Sequence, residues 1–157
     1  MTRIYLVRHG EAVPEEDAGS DRDRWLNARG REAARVLARL LREQTVEPDR
    51  IVASPLPRAV QTAELIAAGL DYLQPIASLR SLEPSAQPNL AAQAILAAGE
   101  AVIVVGHEPS ISALGAFLLG RPSFPPFRTA QCFAIEGKKP TFTARSDLDQ
   151  VHAYFVD

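Results

Sequence analysis

Ala101-Val102-Ile103-Val104-Val105-Gly106 is the stretch on which the fold turns. It carries no polar side chain, so it reads as a strand buried on both faces, the signature of a central strand between two helix layers. Two further runs suit the same sheet, Arg3-Ile4-Tyr5-Leu6-Val7 and Arg50-Ile51-Val52-Ala53-Ser54. Helical patterns alternate with them. Asn27 is placed to cap a helix running to about Gln44, with Ala33, Val36, Leu37, Leu40 and Leu41 on its apolar stripe. Pro57 suits the first turn of a second helix, and Gly69 its C-cap. Asn89 is the expected cap of a third, ending near Gly99, and a fourth spans about Ser110 to Leu119, stopped by Gly120. Residues 11–25, rich in charge and holding Pro14 and Gly19, read as a loop. Residues 71–88 read as an irregular connection with one short strand near Ile76. Closing strands are expected at 131–136 and 151–156, with a third at 141–145. Strand–helix alternation through residue 119 predicts an α/β sandwich with a largely parallel sheet. With no repeat, low-complexity tract or linker, residues 1–157 are expected to form a single domain.

Composition narrows the function. A net charge of -2 from 17 basic and 19 acidic residues argues against a bulk nucleic-acid binder. No apolar run reaches the roughly 20 residues that span a bilayer. The opening residues Met1 to Val7 turn charged too soon for a signal peptide. The lone Cys132 excludes an intramolecular disulfide and a cysteine-cluster metal site, and reads as a small apolar filler. A cytoplasmic, monomeric protein with no membrane or nucleic-acid partner is expected.

Open α/β sheets place their sites beyond the C-terminal strand ends. There stand Arg8-His9-Gly10-Glu11, then Ser54 with Arg58 in the following helical turn, then Gly106-His107-Glu108. Two arginines can fork onto one tetrahedral oxyanion. Their charge disfavours imidazolium, which keeps a neighbouring histidine neutral and nucleophilic. Gly10 lets backbone approach the anion, and a protonated His107 would add a third cationic contact. The set suits phosphoryl transfer, in which positioning and electrostatics do most of the catalysis. Zinc on His9 and His107 with Glu11 or Glu108 is the rival use, opposed by the two arginines. His152 has no comparable context.

Leu6-Val7-Arg8-His9-Gly10-Glu11 resembles the signature of the histidine phosphatase, or phosphoglycerate-mutase-like, superfamily. Trp25-Leu26-Asn27-Ala28-Arg29-Gly30 is similar to the family's Leu-Thr-x-x-Gly helix start, with Asn27 in place of the threonine. The run from Val52 to Ala63, containing Ser54-Pro55-Leu56-Pro57-Arg58, resembles the second motif, and Val105-Gly106-His107-Glu108-Pro109 the third. The compact length and the Gly-His-x-Pro form resemble the SixA-type phosphohistidine phosphatases. The resemblance implies a three-layer α/β/α sandwich on a mixed sheet. It implies His9 as a transiently phosphorylated nucleophile, with Arg8, Arg58 and His107 as the phosphate pocket. It implies no metal or organic cofactor.

Two features depart from the pattern. Family members often carry an acidic proton donor after the second helix; the candidate here is Glu83, whose other reading is an exposed loop carboxylate. The acidic loop Glu15-Glu16-Asp17 with Asp21 and Asp23 reads as solvated. The expected substrate is phosphohistidine in a protein, with inorganic phosphate as product. The alternatives are a small phosphate ester, or a module that binds phosphohistidine without cleaving it. Trp25 is expected to pack on the first helix, and Thr129 and Ala130 to bring backbone near the pocket.

Overall fold

The computed structural model describes residues 2–147 and 150–155. The sheet strands are β1 (Arg3–Arg8), β2 (Arg50–Ala53), β3 (Ala77–Ser78), β4 (Ala101–Gly106), β5 (Gln131–Glu136), β6 (Lys139–Asp147) and β7 (Gln150–Phe155). The helices are α1 (Glu15–Ala18), α2 (Ala28–Glu43), α3 (Pro57–Gly69), α4 (Pro88–Ala98) and α5 (Ser110–Leu119). The strands form one mixed sheet in the order β3-β2-β4-β1-β5-β6-β7. The half from β3 to β1 is parallel, and β5, β6 and β7 continue it antiparallel. All three expected closing strands are present; Val156, the expected end of the last, lies outside the described residues.

Alternation along the strands builds two cores. Tyr5, Val7, Ile103 and Val105 face one way and pack with Leu37, Leu41, Ala63 and Ile66 of α2 and α3. Ile4, Leu6, Val102 and Val104 face the other way and pack with Ala91, Ile95, Ile111 and Leu114 of α4 and α5. Every residue of β4 is buried, as its unbroken apolar sequence requires. The result is a three-layer α/β/α sandwich.

Local chemistry sets the helix ends. The Asn27 side chain accepts the Gly30 N–H at 2.8 Å, capping α2 as expected. On the same helix Val36, Leu37, Leu40 and Leu41 are buried as expected, whereas Ala33 is half-buried and the buried alanines are Ala34 and Ala38. Two expected boundaries are corrected. Leu70, not Gly69, caps α3; Gly69 is helical, and a Cβ there would stand 2.5 Å from the Ala38 Cβ, so glycine lets α2 and α3 approach. Asn89 lies inside α4, which starts at Pro88 with Gln87 as cap, since proline's fixed φ suits the first turn. The short strand expected near Ile76 is present, at Ala77–Ser78. Residues 11–25 also hold more structure than a loop: an Ala12–Leu26 bridge closes their base, and α1 lies within.

Candidate active site

Strand register makes the site. In the parallel pairs, Arg8 stands opposite Gly106 and Ala53 opposite Val105. The next backbone bonds continue both ladders, from His9 N–H to the Gly106 carbonyl and from Ser54 N–H to the Val105 carbonyl, each at 3.0 Å. His9, Ser54 and His107 therefore leave three adjacent strands at one level. The two imidazole centroids are 5.0 Å apart. Arg58 reaches the same place from the first turn of α3. Arg8, His9, Arg58 and His107 line one cleft of about 400 Å³.

Each side chain is held. Nδ1 of His9 donates to the Gly10 carbonyl at 2.6 Å, which leaves the Nε2 lone pair free, and the Arg58 Nε–H points at that lone pair from 3.3 Å. His9 is 7% exposed. Burial lowers its pKa to about 4; the Gly10 bond opposes this, while the Arg58, Arg8 and Arg24 charges add to it. His9 is thus neutral at physiological pH, the state in which an imidazole is able to act as a nucleophile. Arg8 donates to the Phe127 carbonyl at 2.8 Å, and its buried Nε has no partner among the described residues. Desolvation draws both guanidinium pKa values down from their ordinary value, yet arginine at this depth stays charged.

His107 would add a third cationic contact only if its ring were protonated. It is 1% exposed, and burial first, then the His9 and Arg58 charges, lower its pKa to about 3. It enters the cleft as a neutral ring. Its Nε2 lies 2.7 Å from Ser54 Oγ, while its buried Nδ1 has no partner among the described residues.

Gly10, expected as an anion contact, lies behind His9. Its N–H donates to Thr62 Oγ1 at 3.0 Å, and Thr62 in turn donates to the Arg58 carbonyl at 2.8 Å. The glycine serves close packing instead: a Cβ there would meet the Gly30 carbonyl oxygen at 2.7 Å. Glu83 is not among the cleft-lining residues, although Pro84 is; its carboxylate is ion-paired with Arg22. Thr129 lines the cleft, and Ala130, at φ 55°, donates its N–H to both the Arg8 and His9 carbonyls at 3.0 Å. Trp25, expected to pack, is 40% exposed. Cys132 is fully buried, and desolvation pushes its thiol pKa up.

Two cleft residues escaped the sequence. Asp21 accepts Arg58 NH1 on its carbonyl at 2.7 Å and Arg58 NH2 on its carboxylate at 3.3 Å. Arg24 donates to the other Asp21 oxygen at 3.1 Å. Arg24 above all, with Arg58, holds the Asp21 carboxyl below its ordinary pKa. The only signal was a charge-dense loop without periodicity, which ordinarily means solvated chain.

A cationic, largely buried floor with a neutral imidazole at its centre, set at the C-terminal edge of a parallel sheet, defines a phosphoryl-handling α/β protein. Comparison with known proteins sharpens this. Residues 4–84 match the model of the histidine phosphatase superfamily (branch 1), and the chain belongs to that family. It is 33% identical over 137 residues to phosphohistidine phosphatase SixA of Escherichia coli K12, covering 85% of this chain and 84% of that one. A solved structure of the protein histidine phosphatase SixA complexed with tungstate superimposes with a TM-score of 0.79 at 32% identity, covering 86% of this chain and 88% of that one. The mycobacterial glucosyl-3-phosphoglycerate phosphatase Rv2419c shares the fold, with a TM-score of 0.68 at 17% identity over 99% and 97% of the two chains. The chain is a phosphatase of the histidine-phosphatase type, which takes a phosphorylated substrate and releases phosphate. No helix among the described residues is long and apolar enough to cross a membrane.

Proposed function

We propose that this phosphatase removes the phosphoryl group from phosphohistidine in proteins, by way of a phosphorylated His9. His9 Nε2 attacks phosphorus in line, and the bond from phosphorus to the leaving nitrogen breaks. Arg8 and Arg58 take the developing charge on the phosphoryl oxygens, and His107 donates a hydrogen bond to them. To do so, Arg58 turns its Nε–H from the His9 lone pair to a phosphoryl oxygen, a stronger acceptor. Water then attacks phospho-His9, the P–Nε2 bond breaks, and inorganic phosphate leaves.

The observation that carries the choice of substrate is the state of the acids around the cleft. Glu83 is paired with Arg22, and Glu11 lies 3.5 Å from Arg29. Asp21 is held by Arg24 and Arg58, and both Glu108 oxygens accept from Ser112 at 3.0 Å. Each is engaged as a carboxylate, so none is poised to give a proton to a leaving alkoxide. A phosphohistidine leaving group needs less help, because its imidazole departs already protonated. The cleft rim is open at Asp21, whose side chain is 58% exposed, which fits a phosphoryl group presented on another protein.

The test is phosphate release from a phosphohistidine-bearing protein, an aryl phosphate and alkyl phosphates such as sugar phosphates. kcat/KM should fall in that order, and Glu83→Gln should change the phosphohistidine rate little. Faster turnover of an alkyl phosphate, abolished in Glu83→Gln, would assign a small-molecule phosphomonoesterase with Glu83 as acid. Phosphate binding without turnover of any substrate would assign a binding module.

A further inference from the structure

Ser54 follows β2 directly, and its backbone bond to Val105 locks it to the strand that precedes His107. It is fully buried. Its Oγ accepts the Leu56 N–H at 3.3 Å and lies 2.7 Å from His107 Nε2. Among the described residues its hydroxyl hydrogen has no acceptor other than that nitrogen. A buried hydroxyl satisfies its hydrogen, so Ser54 donates and Nε2 accepts.

The consequence lies on the other side of the ring. A neutral imidazole carries one proton, and if Nε2 accepts, that proton is on Nδ1. Nδ1 is buried and has no hydrogen-bond partner among the described residues. We propose that Ser54 is a positioning residue that fixes His107 as its Nδ1–H tautomer, so that a neutral histidine meets the phosphoryl group as a hydrogen-bond donor. The opposite tautomer would turn a lone pair toward phosphoryl oxygens that are themselves acceptors. His9 has the same tautomer with the reverse use: its Nδ1–H is spent on the Gly10 carbonyl, and Nε2 is left as nucleophile. One donor and one acceptor, each placed by a single neighbour, thus divide the two chemical roles between two neutral histidines. The proposal rests on the reading of the cleft as the phosphoryl site.

The tautomer is read directly by two-bond ¹H–¹⁵N correlation spectra of ¹⁵N-histidine-labelled protein at neutral pH, with His107 assigned through a His107→Gln variant. In the wild type, His107 should show a pyrrole-type Nδ1 and a pyridine-type Nε2. In Ser54→Ala, Nδ1 should lose its pyrrole-type shift, and kcat/KM should fall about 10- to 100-fold, the range for losing the partner that orients a functional histidine. Ser54→Thr, which restores the hydroxyl, should recover both. A wild-type His107 protonated on Nε2 would overturn the proposal. So would a Ser54→Ala protein that keeps the Nδ1–H tautomer, or one that keeps kcat/KM within twofold. If Ser54→Thr does not fold, the wild-type and Ser54→Ala spectra still decide. Failure of the underlying phosphoryl-site reading would look different: His107 Nδ1 would not respond to added inorganic phosphate, whatever its tautomer.

Discussion

Acid should destabilise this protein through His9, and the size of the effect follows from the structure. The imidazole is buried under the cleft with three arginines around it, and its pKa is lowered to about 4. In the unfolded chain it titrates near 6.5. Between those values the unfolded chain binds a proton that the folded chain refuses, so stability falls as pH falls. The slope approaches about 1.4 kcal/mol per pH unit, which sums to on the order of 3 kcal/mol by pH 4. The full stability is therefore present above pH 6.5, is lost toward pH 4, and changes little from this source below that. His107, lowered to about 3, adds a loss of the same sign. Urea unfolding, followed by far-ultraviolet circular dichroism at pH 7.5, 6, 5 and 4, measures this on wild type and His9→Gln. Glutamine does not titrate, and the carboxylates common to both proteins cancel in the difference. The stability of wild type minus that of His9→Gln should drop by roughly 3 kcal/mol from pH 7.5 to pH 4. A difference independent of pH would refute a buried neutral His9, and a difference that grows at acid pH would mean that the fold stabilises the imidazolium instead.

Arg58→Ala should lower kcat/KM by about 10²- to 10³-fold, the usual loss when one charged oxyanion donor is removed; steady-state kinetics at saturating and limiting substrate check this, and a change under tenfold would contradict the role. Gly30→Ala should destabilise despite alanine's better helix propensity, because its Cβ would stand 2.0 Å from the Glu11 carbonyl oxygen. A net loss of about 1–3 kcal/mol is expected from overpacking against backbone, with lower activity as the segment from His9 to Glu11 shifts; an unchanged or raised thermal midpoint would show that the contact yields easily.

What could be read from the sequence was chemistry that acts locally or through simple periodicity. The unbroken apolar run of β4 specified burial on both faces, and Asn27 announced its own cap. The placement of His9, Arg58 and His107 followed from strand ends, because parallel register turns sequence position into spatial level. What could not be read depends on distant chain. Gly69 looked like a cap, but its smallness is set by Ala38, which only the packing of α2 on α3 brings near. Asn89 was a better cap by residue type than Gln87, yet Pro88 outweighed it by claiming the first turn. Asp21 and Arg24 carried no pattern at all, since their contact with Arg58 spans 37 positions in one case and is indirect in the other. The neutral state of His107 depends on burial, which a residue string does not show.

The central claim is that His9 takes the phosphoryl group, and phosphoenzyme trapping tests it most directly. Substrate carrying ³²P is mixed with enzyme and quenched within milliseconds in alkali, and the labelled peptide is mapped. The label should be on His9, stable to base and lost in acid, and absent from His9→Gln, which should not turn over. A label on another residue, or undiminished turnover by His9→Gln, would contradict it.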